Sequence, residues 1–143
     1  MEQPQVPESH KLSFVARVRT RWSDEDNQGV LNNAVYMTLF EEARYQYFES
    51  LGLLAHNQFP FLLAQTNVSF LAPGRGGVGV AIECGTIAIG TTSFTQAYRV
   101  RCEADGVVWC EAESRLVCYD AASGKKRPIE PEFRAALAQR EGW

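Results

Sequence analysis

From Leu31 onward the apolar residues fall at Leu31, Val35, Leu39, Ala43, Tyr47, Leu51 and Leu54, flanked by Tyr36, Phe40 and Phe48. This is a helical period sustained for more than about five turns. So wide an apolar face has to be wrapped by something. The wrapper is readable downstream, where residues 60–72, 78–90, 93–103 and 107–120 are strand-like and no second long helix intervenes. Upstream, Leu12, Phe14, Ala16 and Val18 alternate with Ser13, Arg17, Arg19 and Arg21, the period of a half-buried strand whose arginines face solvent. The pattern predicts an α+β fold, one long central helix wrapped by a curved antiparallel sheet of about five strands.

Turn chemistry sets the connections. Asn32 or Asn33 caps the helix start, and Gly52 stands near its end. Pro73-Gly74 with Gly76-Gly77, Gly90 with Thr91 and Thr92, and Asp105-Gly106 separate the strands. A two-residue turn at Asp105-Gly106 would mix Phe94, Tyr98 and Val100 with Glu111, Glu113 and Arg115 on one face. A three-residue loop, Ala104-Asp105-Gly106 with Gly106 in the left-handed region, instead aligns Val100 with Cys110, Tyr98 with Ala112 and Phe94 with Leu116. It also sets Arg99 opposite Glu111 on the other face. After Ser123-Gly124 a short helix is expected over 131–140, so that 128–143 reads as a terminal helix and tail.

The 143 residues are expected to form one domain, with 1–11 as a flexible lead-in. A net charge of −3 argues against nucleic acid as a main partner. No apolar run approaches the roughly 18 residues that span a bilayer, and the acidic, Pro-broken start is no signal peptide, so a cytoplasmic location is expected. Cys84, Cys102, Cys110 and Cys118 form no Cys-x-x-Cys pair and read as buried reduced thiols. His10 and His56 sit in no ligand pattern; neither a metal nor a cofactor is expected. Neither a Gly-x-Ser-x-Gly elbow nor a phosphate-binding Gly-x-x-x-x-Gly-Lys occurs.

Chemistry concentrates just before the helix. Asp24 and Asp26 lie on a turn containing Gly29 and lead directly into Asn32 and Asn33. A carboxylate beside the free N–H groups of a helix N-terminus offers a base or nucleophile together with a cradle for developing negative charge. Plainer roles exist for most of these residues: Asp24 can shape the turn, Gly29 can supply a positive φ, and one asparagine is accounted for as a cap. Glu41 and Arg44, three apart on the helix, read as an ion pair.

Trp22-x-Asp24-x-Asp26-x-x-Gly29-x-x-Asn32-Asn33-x-x-Tyr36, followed by Glu41-x-Ala43-Arg44, resembles the motif of hotdog-fold acyl-CoA thioesterases of the 4-hydroxybenzoyl-CoA thioesterase type. The resemblance covers about residues 12–120. It implies a hotdog fold, with Asp26 as the catalytic carboxylate and a backbone N–H near Asn33 holding the thioester carbonyl. It further implies an acyl-CoA substrate near Gly29, Asn32 and Tyr36, and a homodimer, or a tetramer built from two, whose sites lie between subunits. This chain departs from the pattern twice. Val30 stands where many members carry His, and Gly90-Thr91-Thr92-Ser93 stands where relatives often place Arg or Lys against coenzyme A phosphates. Hydroxyl or backbone contacts from Thr91, Thr92 and Ser93, with Arg75, would have to serve there. The aromatic residues from Tyr36 to Phe61 suggest a hydrophobic acyl group, aliphatic or aryl. A hydratase would need an acid paired with a histidine at a useful spacing, which is missing; a non-catalytic acyl-thioester binding or regulatory protein is the alternative.

Overall fold

The computed structural model describes residues 12–143; the lead-in 1–11 and His10 lie outside them. Strand β1 (Phe14–Arg19) is followed by a single 3-10 turn, then helix α1 (Asn33–Ser50). Four long strands succeed it: β2 (Phe61–Phe70), β3 (Gly79–Ile89), β4 (Ser93–Cys102) and β5 (Val108–Asp120). A two-residue strand β6 (Lys125–Lys126) pairs with β5, and helix α2 (Pro131–Glu141) ends the chain. The sheet order is β1-β3-β4-β5-β2, every neighbouring pair antiparallel. The chain has the single long helix wrapped by an antiparallel sheet that its helical and strand periods implied, and with it the hotdog architecture that the resemblance of its motif implied.

The β4–β5 register is the one the two faces demanded, with Val100 opposite Cys110, Tyr98 opposite Ala112, Phe94 opposite Leu116 and Arg99 opposite Glu111. Gly106 takes φ +73° in the connecting loop. Helix α1 is shorter than its apolar period. Asn32 is extended and caps the helix by accepting from the Ala34 N–H at 3.0 Å, while Leu31 lies outside, bridged to Glu25. At the other end Gly52, at φ +70°, turns the chain away, so Leu53 and Leu54 follow in a loop.

The buried side of α1, Leu39, Phe40, Ala43, Tyr47 and Phe48, packs into the concave sheet against Ala16, Val80, Ile82, Phe94, Tyr98 and Val100. The helix lies chiefly over β1 and β3. The concave side of β2 is therefore left partly open, with Leu63 42% and Phe70 50% exposed. Helix α2 closes the far end: Phe133 joins Phe48, Phe61 and Phe94 in a cluster with centroids 5.2–5.7 Å apart for Phe61–Phe94, Phe48–Phe133 and Phe48–Phe94. No helix among the described residues is long and apolar enough to cross a membrane.

Candidate functional site

Residues 24–32 form a narrow loop. The Asp26 N–H donates to the Val30 carbonyl at 2.8 Å and the Gly29 N–H to the Asp26 carbonyl at 3.1 Å, with Gly29 at φ +75° supplying the reversal. The two aspartates differ sharply. Asp24 is buried and both its oxygens are taken: Oδ2 by the Arg21 N–H at 2.8 Å, Oδ1 by Arg21 Nε at 3.1 Å and Nη2 at 2.8 Å. Burial alone would raise its pKa, but the Arg21 guanidinium and amide outweigh that and hold the carboxyl below its ordinary value. Its carbonyl accepts from the Asn32 N–H at 2.9 Å, tying the loop to the helix start. Asp26 is half-buried; Oδ1 accepts from the Gln28 N–H at 2.8 Å, and Oδ2 has no partner among the described residues.

Beside this loop the first turn of α1 meets the chain that follows β2. The Leu31 N–H donates to the Gly74 carbonyl at 2.8 Å. A pocket of about 220 Å³ opens here, lined by Val30, Leu31, Asn33, Tyr36 and residues 70–74. The Asn33 N–H, at the first helical position, donates to no group among the described residues and is one of the helix's orphan donors. Gly74 sits in a close contact where any side chain would force a neighbour to shift: an added Cβ would stand 2.6 Å from the Tyr36 hydroxyl and 2.8 Å from Trp109. Burial pushes the Tyr36 pKa up to about 12, so its phenol is neutral at physiological pH. On the outer side Glu25 Oε2 accepts from the Gly76 N–H at 2.9 Å, fixing the acidic loop to the same segment. Asp26 does not line the pocket; it adjoins it through Val30.

Asp26, Gly29, Asn32, Asn33 and Tyr36 thus gather at one end of the sheet. Arg75 is at that end too, but its guanidinium is 3.5 Å from Asp105 and its carbonyl accepts from the Thr20 hydroxyl. Thr91, Thr92 and Ser93 are at the opposite end, beyond the length of β4, roughly 30 Å at 3.3 Å per residue. Their loop is clasped by the C-terminal segment: Arg134 Nη2 donates to the Gly90 carbonyl at 2.6 Å and the Ile129 N–H to the Thr91 carbonyl at 2.9 Å. A cation therefore does stand at this loop, brought from α2. The expected Glu41–Arg44 pair is not formed. Glu41 is exposed, whereas Arg44 is buried against Tyr98, because α1 turns position 44 under the helix and position 41 away from it.

Sequence reasoning missed the 70–74 wall of the pocket. Pro73-Gly74 reads in sequence only as a turn; the close approach at Gly74 is set by Tyr36 and Trp109, which the fold brings there. The four cysteines are buried and free. Burial raises the Cys84 thiol, pushes Cys110 up to about 12 and raises Cys118, which leaves them poor nucleophiles. No cluster among the described residues could hold a metal ion.

Residues 20–137 match the family described as the thioesterase-like superfamily. The chain is similar to the acyl-CoA thioester hydrolase YbgC of Escherichia coli O157:H7, 27% identical over 127 residues that cover 85% of this chain and 93% of the relative. Among solved structures it is similar to a thioesterase from Thermus thermophilus complexed with coenzyme A and Zn, at TM-score 0.81 and 26% identity, covering 93% of this chain and 98% of that one. It also shares its fold with a 1,4-dihydroxy-2-naphthoyl-CoA thioesterase from Synechocystis, at TM-score 0.79 and 19% identity, covering 87% and 95%.

Proposed function

The chain belongs to the thioesterase-like superfamily, and from that premise we propose that it hydrolyses an acyl-CoA to free acid and coenzyme A, using Asp26 and the Asn33 N–H. The observation that carries this reading is the unsatisfied N–H of Asn33, a residue that lines a pocket, next to a loop that holds a half-free carboxylate. A thioester carbonyl set in that pocket develops an oxyanion on attack, and a preorganised donor at that position is worth roughly 2.7–4 kcal/mol of barrier. Asp26 either attacks the carbonyl, expelling the thiolate and leaving an anhydride for water to open, or takes a proton from an attacking water. Asp24 is unsuited to both, since Arg21 occupies its oxygens. Gly29 shapes the loop, Asn32 caps the helix, and the neutral Tyr36 phenol walls the pocket.

The remaining substrate contacts require a second copy. Strand β2 is an edge with Leu62 and Leu63 exposed, and antiparallel pairing of two such edges about a two-fold axis closes both. That operation reverses the strand direction, so the Thr91–Ser93 loop of one copy comes to the same end as the Asn33 N–H of the other. A homodimer, or a tetramer built from two such dimers, accordingly assembles the nucleotide contacts from Thr91, Thr92 and Ser93. Arg75 approaches the site from the Asn33 end itself. Val30, in the place of the family's histidine, favours one second reading, a non-catalytic acyl-thioester binder. Thiol release from a panel of acyl-CoAs decides between them: turnover supports the hydrolase, while saturable binding without thiol release supports the binder.

A further inference from the structure

A row of polar side chains crosses the interior of this sheet. Thr86 on β3, Gln96 on β4, Ser114 on β5 and Thr66 on β2 are direct register neighbours, so they align across the concave face. Thr86, Gln96 and Ser114 are buried; Thr66 is half-buried. Hydrogen bonds join the row within itself, to its neighbour Tyr98 on β4 and to Tyr47 of the helix above. Tyr47 and Thr86 hydroxyls lie 3.0 Å apart, the Tyr98 hydroxyl donates to Gln96 Oε1 at 2.8 Å, and Thr66 and Ser114 hydroxyls are 3.0 Å apart.

Its two ends differ. The Thr86 end is closed by Glu141, which accepts from the Tyr47 hydroxyl at 2.6 Å and the Thr86 N–H at 3.1 Å. The Thr66 end gives onto the open strip of β2. Arg44 stands above the row, donating to the Tyr98 hydroxyl at 3.2 Å, and is only 4% exposed. Its Nε has no partner, and no carboxylate lies within ion-pair distance of it among the described residues. The flank of α1 that carries it looks toward β2. Phe48, one turn on, meets Phe61 of that strand, whereas Gln46 on the other flank reaches the Arg17 carbonyl of β1.

Tyr98 meets Arg44 with its hydroxyl and its ring but brings no negative charge, and a guanidinium withdrawn from water gains most from an anion, its planar fork matching a carboxylate with two parallel bonds. Arg44 lies roughly 16 Å along the helix from Asn33 at 1.5 Å per residue, and side chains lean back toward the N-terminus by about one turn, ~5 Å. The charged group is then roughly 11 Å from the Asn33 N–H, with Met37 and Phe40 on the helix between them.

We propose that Arg44, backed by Tyr98, Ser114 and Thr66, binds a carboxylate at the far end of the acyl group. The preferred substrates are then ω-carboxyacyl thioesters of medium chain length, on the order of eight carbons for that span. The middle of such a chain is apolar, in keeping with the helix's aromatic lining, while its end is not. This inference rests on the Asn33 N–H as the carbonyl site.

The test uses two matched pairs on the full chain: octanoyl-CoA against the mono-CoA thioester of octanedioic acid, and free octanoate against octanedioate. The expected results are a kcat/KM at least tenfold higher for the ω-carboxyacyl thioester and a rise in melting temperature with octanedioate that octanoate does not match. Within Arg44→Met and within Thr66→Val, both preferences should fall toward parity. Thr66→Val, at the half-exposed edge and similar in size, carries the test if Arg44→Met does not fold. Equal preference in the wild type, or the same preference in a folded variant as in the wild type, overturns the proposal and leaves the row a structural one. If no thioester is hydrolysed while octanedioate still stabilises the wild type and not the variants, the hydrolase reading fails and the carboxylate site stands.

Discussion

Two aspartates separated by one residue differ in the partners of their oxygens, and under the proposed function they do different work for that reason. Asp26→Asn is expected to lower turnover on any accepted acyl-CoA by orders of magnitude with little change in melting temperature; near-wild-type turnover would remove Asp26 from the chemistry. Asp24→Asn should do the reverse, since it removes the negative charge and turns one of the two oxygens that accept from the Arg21 amide and guanidinium into a donor. The Asp24 carboxyl titrates lower folded than unfolded, so the stability it contributes is complete above the ordinary aspartate value of about 3.9 and is lost as pH falls through the lowered folded value. Melting temperatures of wild type and Asp24→Asn followed from pH 7 downward should therefore stay apart by a constant gap and converge only in strong acid. A gap that closed near pH 6 would contradict the assignment. Gly74→Ala drives a methyl group into Tyr36 and Trp109, an overpacking of about 1–3 kcal/mol. It is expected to lower both the melting temperature and kcat/KM, as unfolding curves and initial rates would show.

Helix α1 links the fold to the site, and its start depends on Asn32. Replacing Asn32 by Ala removes the acceptor for the Ala34 N–H and should cost about 1 kcal/mol, read as a shift in denaturant midpoint at constant slope. An unchanged midpoint would mean that the loop, held by the Asn32 N–H to the Asp24 carbonyl, suffices to start the helix. Elements of this kind were legible in sequence because a single face decided them. Val100 opposite Cys110 and Arg99 opposite Glu111 follow from keeping charge off the core side of β4 and β5. Helix ends were less legible: Leu31, Leu51 and Leu54 share the period of α1, yet an extended Asn32 and a left-handed Gly52 take the backbone out of the helix on either side. For the site, the acidic loop and orphan N–H are local and could be read from residues 24–33. The pocket wall at 70–74 and the Tyr98 partner of Arg44 could not, since pairing between distant strands brings them in. Glu41 and Arg44 show the same limit. Their spacing suits a pair, but burial beneath the helix claims one of them and solvent the other.

At the scale of the whole molecule, the exposed edge at β2 and the placement of Thr91–Ser93 at the end opposite Asn33 are the grounds for the proposal that two copies make the smallest complete unit. Sedimentation at micromolar concentration is expected to give a dimer or tetramer. A Pro in the middle of β2, such as Asn67→Pro, should yield monomers with little thioesterase activity; an active monomer would overturn the shared site. A sheet with two pairing edges has no reason to stop at two copies and could grow into a filament. Here the opposite side is spoiled for such growth. The β1 edge is short and carries Arg17 and Arg19, and where β3 runs on past its end the Glu141 carboxylate takes the Thr86 N–H that an incoming strand would need. A chain cut back to Arg140 would lose that plug while keeping nearly all of its core, and its characteristic fault would be open-ended polymerisation rather than unfolding.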